Sequence, residues 1–72
     1  MILKARMRND EDRDFWVYHD KVYAATVIDS SGCPGKDIRF WKEGGAADGD
    51  IYGSVAEAYL MNDRGQTIER LA

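Results

Sequence analysis

Seventy-two residues carrying a net charge of −3, with one cysteine and one histidine, describe a single small domain over 1–72. Cys33 and His19 alone allow neither an internal disulfide nor a four-ligand Cys/His zinc cluster. The acid surplus argues against generic DNA binding, which needs basic residues to neutralise phosphates.

No apolar run approaches the ~20 residues of a membrane helix. The N-terminal "MILKARMRNDEDRD" is charged by its fourth residue and reads as neither signal peptide nor anchor. A lone cysteine suits a reducing compartment, so the expectation is a soluble, cytoplasmic protein. A chain this short buries only about 60% of its unfolded surface. Its eight aromatics, or an interface, must supply what a larger core would.

In chain order, "ILKARMR" alternates: Leu3, Ala5 and Met7 point one way, Lys4, Arg6 and Arg8 the other. That is the period of a half-buried strand. "NDEDRD" breaks it as a charged turn. "FWVYHDKVYAATVIDS" is dense in aromatic and β-branched residues, with "HDK" at its middle. It predicts two strands, about Phe15–Tyr18 and Val22–Ile28, joined by a tight hairpin near Asp20. "DSSGCPG" is a breaker. "KDIRFW" gives a strand with Ile38 and Phe40 on one face, Arg39 and Trp41 on the other. A Gly/Asp-rich stretch over 43–53 then reads as a flexible loop.

The last third admits two structures. Ser54 and Glu57 have the spacing of a helix capping box, which would start a helix at about 54–62. Asn62-Asp63-Arg64-Gly65 is instead a type I turn ending in a glycine able to take the left-handed conformation, the mark of a bulged hairpin, and "QTIERL" after it alternates like a strand. The hairpin is preferred because it explains four consecutive residues and the strand beyond them. The expected fold is therefore all-β, an antiparallel meander of five or six short strands, rolled at most into a small open barrel. The alternative is α+β, one helix on a four- or five-stranded antiparallel sheet.

Few arrangements carry recognisable chemistry. Gly44, Gly45, Gly49 and Gly53 match neither Gly-x-x-x-x-Gly-Lys-Ser/Thr nor Gly-x-Gly-x-x-Gly, and Glu43, Asp48 and Asp50 would repel a phosphate. A calcium loop fails in either register: starting at Ala46 puts Ile51 where glycine belongs, and starting at Asp48 puts Tyr59 where glutamate belongs. Asp10, Asp12 and Asp14 alternate, but the twelfth residue from Asp10 is Lys21. Nothing brings Cys33 and His19 together as a nucleophile and base need. No catalytic, cofactor or metal residue is expected, and the chain reads as a non-enzyme.

The aromatics remain. Neighbours such as Phe15-Trp16 and Phe40-Trp41 face opposite sides of a strand, so one of each pair fills the core and the other is either covered or exposed. Exposed, Trp16, Tyr18 and Trp41 would be interface anchors. Joined to the carboxylates Asp10, Glu11, Asp12, Asp14, Asp48 and Asp50, they suggest a small acidic inhibitor or regulator. It would occupy the basic, nucleic-acid-binding surface of a larger protein, carboxylates standing in for phosphates. A phage or mobile-element inhibitor of host defence is one such setting. Two alternatives stand beside it. One is a single-stranded nucleic-acid binder, if the Lys4, Arg6, Arg8 row lies beside the aromatic strand. The other is a self-associating structural subunit, such as a homodimer.

Overall fold

The structure, a computed structural model, describes residues 1–7, 15–28 and 36–72. These form six strands: β1 (Ile2–Met7), β2 (Phe15–His19), β3 (Val22–Ile28), β4 (Lys36–Lys42), β5 (Asp50–Met61) and β6 (Thr67–Arg70). All pairings are antiparallel, in the order β2-β1-β5-β4-β3 with β6 also on β5. The all-β architecture thus follows the alternation in the sequence, and the sheet is not closed into a barrel. Among the described residues no helix is long and apolar enough to cross a membrane.

The hairpin expected near Asp20 is not formed. β2 pairs with β1 and β3 with β4, so the two strands of "FWVYHDKVYAATVI" diverge instead of pairing with each other. Lys21 takes a left-handed φ of 58°, which turns the chain sharply at one residue. Three backbone bonds fix this corner. Met1 and Val22 exchange N–H···O bonds, each 2.8 Å, and Glu43 N–H donates to the Lys21 carbonyl at 2.9 Å. The two ends of the sheet are therefore joined through a covalent corner, without a ladder between them. A turn without glycine lacks the backbone freedom a two-residue hairpin needs, and the corner requires only one unusual φ.

The helix alternative over 54–62 is overturned. Residues 54–61 lie in the twelve-residue β5, which serves β1 along one edge and β4 then β6 along the other. Ser54, the would-be cap, sits at φ 56° and its N–H meets Asp37 Oδ1 at 3.3 Å. The Glu57 carboxylate reaches Arg6 and Tyr59, not a helix N-terminus. Register shifts in both neighbouring ladders bend β5 here. Beyond it the hairpin forms as its turn residues require: Gly65 at φ 82°, Gly65 N–H to the Asn62 carbonyl at 3.0 Å, and Asn62 Oδ1 accepting from the N–H groups of Arg64 and Gln66.

The core lies inside the bend. Leu3, Ala5, Val22, Ile38, Phe40, Val55, Ala58 and Leu60 are buried, with Val17, Val27, Tyr52 and Leu71 packed around them. The alternation of β1 and β4 accounts for the first two and for Ile38 and Phe40. The chain between β4 and β5 is shorter than the 43–53 stretch, because β5 begins at Asp50. It is shaped by Gly45 N–H to the Lys42 carbonyl and Gly49 N–H to the Ala46 carbonyl, each 3.0 Å.

Candidate binding face

The outward residues of β2, β1, β5 and β6 share one surface. Register sets Lys4 between Tyr18 and Tyr59, Arg6 between Trp16 and Glu57, and Tyr59 opposite Arg70. Successive outward residues of one strand alternate with the buried ones, so a basic row on β1 runs between aromatics on both sides. Trp16 and Tyr18 are 37% and 56% exposed. Of the Lys4, Arg6, Arg8 row that the sequence sets beside the aromatic strand, Lys4 and Arg6 lie there and Arg8 is outside the described residues.

The side chains touch across the strands. Lys4 Nζ lies 4.4 Å from the centre of the Trp16 ring, and the Trp16 and Tyr59 rings are 6.3 Å apart, tilted by 35°. The Arg70 guanidinium stands 5.9 Å from the Tyr59 ring and donates to the Ala72 carbonyl at 3.2 Å. Arg6 donates to Glu57 at 2.9 Å, and the Tyr59 hydroxyl donates to the other oxygen of Glu57 at 3.1 Å. These two donors hold the Glu57 carboxyl below its ordinary range, the Arg6 bond contributing most. Lys4, Arg6 and Arg70 against Glu57 leave the patch two charges positive, on a chain whose total is −3. Among the described residues eight basic and eight acidic side chains balance, so the net −3 is carried by residues outside them.

The other expected site residues are placed differently. Trp41 lies opposite Ala24 on the outward side of β4, with its indole against Gly49, and no ring contact joins it to Trp16 or Tyr18. Asp48 is exposed in the turn before β5, and Asp50 pairs with Phe40 at the start of β5. Asp10, Glu11, Asp12 and Asp14 lie outside the described residues, as do Arg8 and Cys33. Tyr59 and Arg70 were not singled out by sequence. Tyr59 sat inside the helix-or-strand ambiguity, and Arg70 reaches the face only through the register of the Asn62–Gln66 turn.

Behind the face, His19 points inward from β2. Its ring centre is 4.7 Å from that of Phe40 and 5.0 Å from that of Tyr52, and Nε2 is hydrogen-bonded to the Tyr52 hydroxyl at 2.5 Å. Burial, helped by the nearby Lys42 ammonium, pushes the imidazole below its ordinary value, with Asp50 and Asp20 opposing. Among the described residues no group of three His, Cys, Asp or Glu could hold a metal ion.

Comparison of the chain with protein-family models, with curated proteins and with solved structures finds no match in any of the three.

Proposed function

We propose that this protein is a non-enzymatic binding module that holds single-stranded nucleic acid on the outward face of β2-β1-β5-β6. The observation that carries the reading is the placement of Lys4 and Arg6 on β1 between Trp16 and Tyr18 on one side and Tyr59 on the other. Single-strand binders combine aromatic platforms for the bases with cations that track the backbone, and stacking on one aromatic is worth ~1–3 kcal/mol by alanine substitution. The acidic total does not by itself oppose this, because the patch formed by the described residues is positive. A soluble, cytoplasmic setting accords with the composition.

A protein partner is the second reading, favoured by a specific observation: Trp16, Tyr18, Tyr59 and Arg6 have the composition of interface hot spots, and Arg6 is already paired with Glu57. Asp48, in the turn before β5, is exposed to a basic-surfaced partner. Fluorescence anisotropy with short labelled oligonucleotides separates the readings. The nucleic-acid reading expects binding at low salt with a log–log salt slope of about −2, from ~0.7 per phosphate contact for up to three cations. Absence of binding at low salt removes it and leaves the protein partner.

A further inference from the structure

We infer that the His19–Tyr52 contact is an acid-sensitive latch that holds the aromatic strand β2 against β4 and β5. Among the described residues β2 has a ladder only with β1. Its attachment to the other half of the sheet runs through the corner at Lys21 and through side chains packed inside the bend. His19 supplies a hydrogen bond across that gap, to Tyr52 of β5, and ring contacts to Phe40 of β4 and Tyr52. Among the described residues no buried side chain of the core is polar, and this part-buried bond joins β2 to β5 beside Phe40.

A proton can reach the ring. A cleft of about 370 Å³ opens beside it, lined by Tyr18, His19, Asp20, Lys21, Lys42 and Glu43. The groups facing His19 are Lys42 from β4, Asp50 and Tyr52 from β5, and Asp20 from the corner, with Lys21 and Glu43 at the cleft. A neutral imidazole offers one donor and one acceptor, whereas an imidazolium offers donors only. Where Nε2 accepts from Tyr52, protonation forces the hydroxyl to turn and accept instead, and in either tautomer it puts a cation into a partly dry site near Lys42. The imidazole is held below its ordinary value of 6.5. An opened β2 thus binds the proton first. The latch is complete above about pH 6.5 and weakens as pH falls through 6.5 toward the closed-state value.

Because Trp16 and Tyr18 lie on the same strand as His19, opening would take apart the aromatic face. That consequence for binding rests on the nucleic-acid reading; the latch does not. The test is amide hydrogen exchange, corrected for its intrinsic pH dependence, on wild type, His19→Phe and Tyr52→Phe. In wild type, local opening of β2 is expected to rise several-fold relative to Leu3, Ala58 and Leu60 between about pH 7 and pH 5. His19→Phe should keep the β2:core ratio constant to within about twofold. Tyr52→Phe should show faster β2 exchange already at pH 7 and a smaller further rise. A wild-type ratio that does not change with pH, or a rise that His19→Phe retains, overturns the latch. Oligonucleotide anisotropy on the same samples keeps the two ideas apart. No binding at any pH overturns the nucleic-acid reading while β2 exchange still decides the latch. Binding that persists unchanged while β2 opens contradicts the proposed regulation.

Discussion

Replacing Gly49 by alanine should destabilise the fold by more than the same change at Gly44 or Gly65, and the difference can be worked from geometry. All three glycines have φ between 78° and 84°, where an L side chain costs roughly 1–2 kcal/mol, offset by ~0.4–1 kcal/mol from a less flexible unfolded chain. A Cβ at Gly44 or Gly65 would meet nothing within 4 Å, so about 1 kcal/mol is expected there. At Gly49 it would stand 2.9 Å from the Phe40 carbonyl oxygen, 2.9 Å from Trp41 Nε1 and 3.0 Å from Trp41 Cε2. Phe40 is Asp50's partner in the β4–β5 ladder, so its carbonyl cannot retreat without disturbing that pairing. Overpacking of this kind costs ~1–3 kcal/mol, which should separate Gly49→Ala from Gly44→Ala by that amount. With a urea slope near 1 kcal/mol/M for a small domain, the midpoints should differ by about 1–3 M at unchanged slope. Agreement between the Gly44 and Gly49 variants to within about 0.5 kcal/mol would refute the close approach of the turn to Trp41.

Phe40→Ala removes the largest fully buried side chain and its contacts with His19 and Tyr52. At ~3–5 kcal/mol against a total of roughly 4–11 kcal/mol for this length, circular dichroism should show a thermal midpoint lowered by tens of degrees. Asn62→Ala deletes two bonds to turn N–H groups and should cost about 1–2 kcal/mol in urea unfolding; Asn62→Asp, which keeps the acceptor, should recover most of it. Glu57 has a lowered folded-state value, so its stabilisation is present above about pH 4.5 and is lost as pH falls through the folded value. Glu57→Gln should flatten that part of an acid titration followed by thermal melts. An equally steep acid limb would show that the Arg6 and Tyr59 bonds to Glu57 do not persist in solution.

The strands were legible where one face is buried and the other is charged. Lys4 and Arg6 alternate with Leu3 and Ala5, and Arg39 and Trp41 with Ile38 and Phe40, so a period of two decided both strand and facing. The Asn62–Gly65 turn was legible because its residues meet the requirements of one turn type. The corner at Asp20-Lys21 was not, since a left-handed lysine leaves no mark in composition and depends on remote groups, Met1 and Glu43. The helix ambiguity in β5 had the same origin. Ala, Glu and Leu suit a helix by propensity, but Val55, Ala58 and Leu60 are buried against β1, and that packing decides. Half of the face was visible as Trp16 and Tyr18. Its basic partners were visible only as a condition, because alternation does not say which strand β1 joins; β1–β2 pairing meets it, and Tyr59 joins through a pairing across some 50 residues of chain. Trp41 looked equivalent to Trp16 by type and is separated from it by the same topology.

Binding of a short labelled oligonucleotide to wild type, Trp16→Ala, Tyr18→Ala and Trp41→Phe tests the central claim most directly. Wild type should bind at low salt. The Trp16 and Tyr18 variants should each lose about 5- to 150-fold in affinity, the equivalent of ~1–3 kcal/mol of stacking, while Trp41→Phe stays within about twofold, as expected for a residue off the face. Loss of affinity at Trp41 equal to that at Trp16, or no oligonucleotide binding by wild type, would contradict the account.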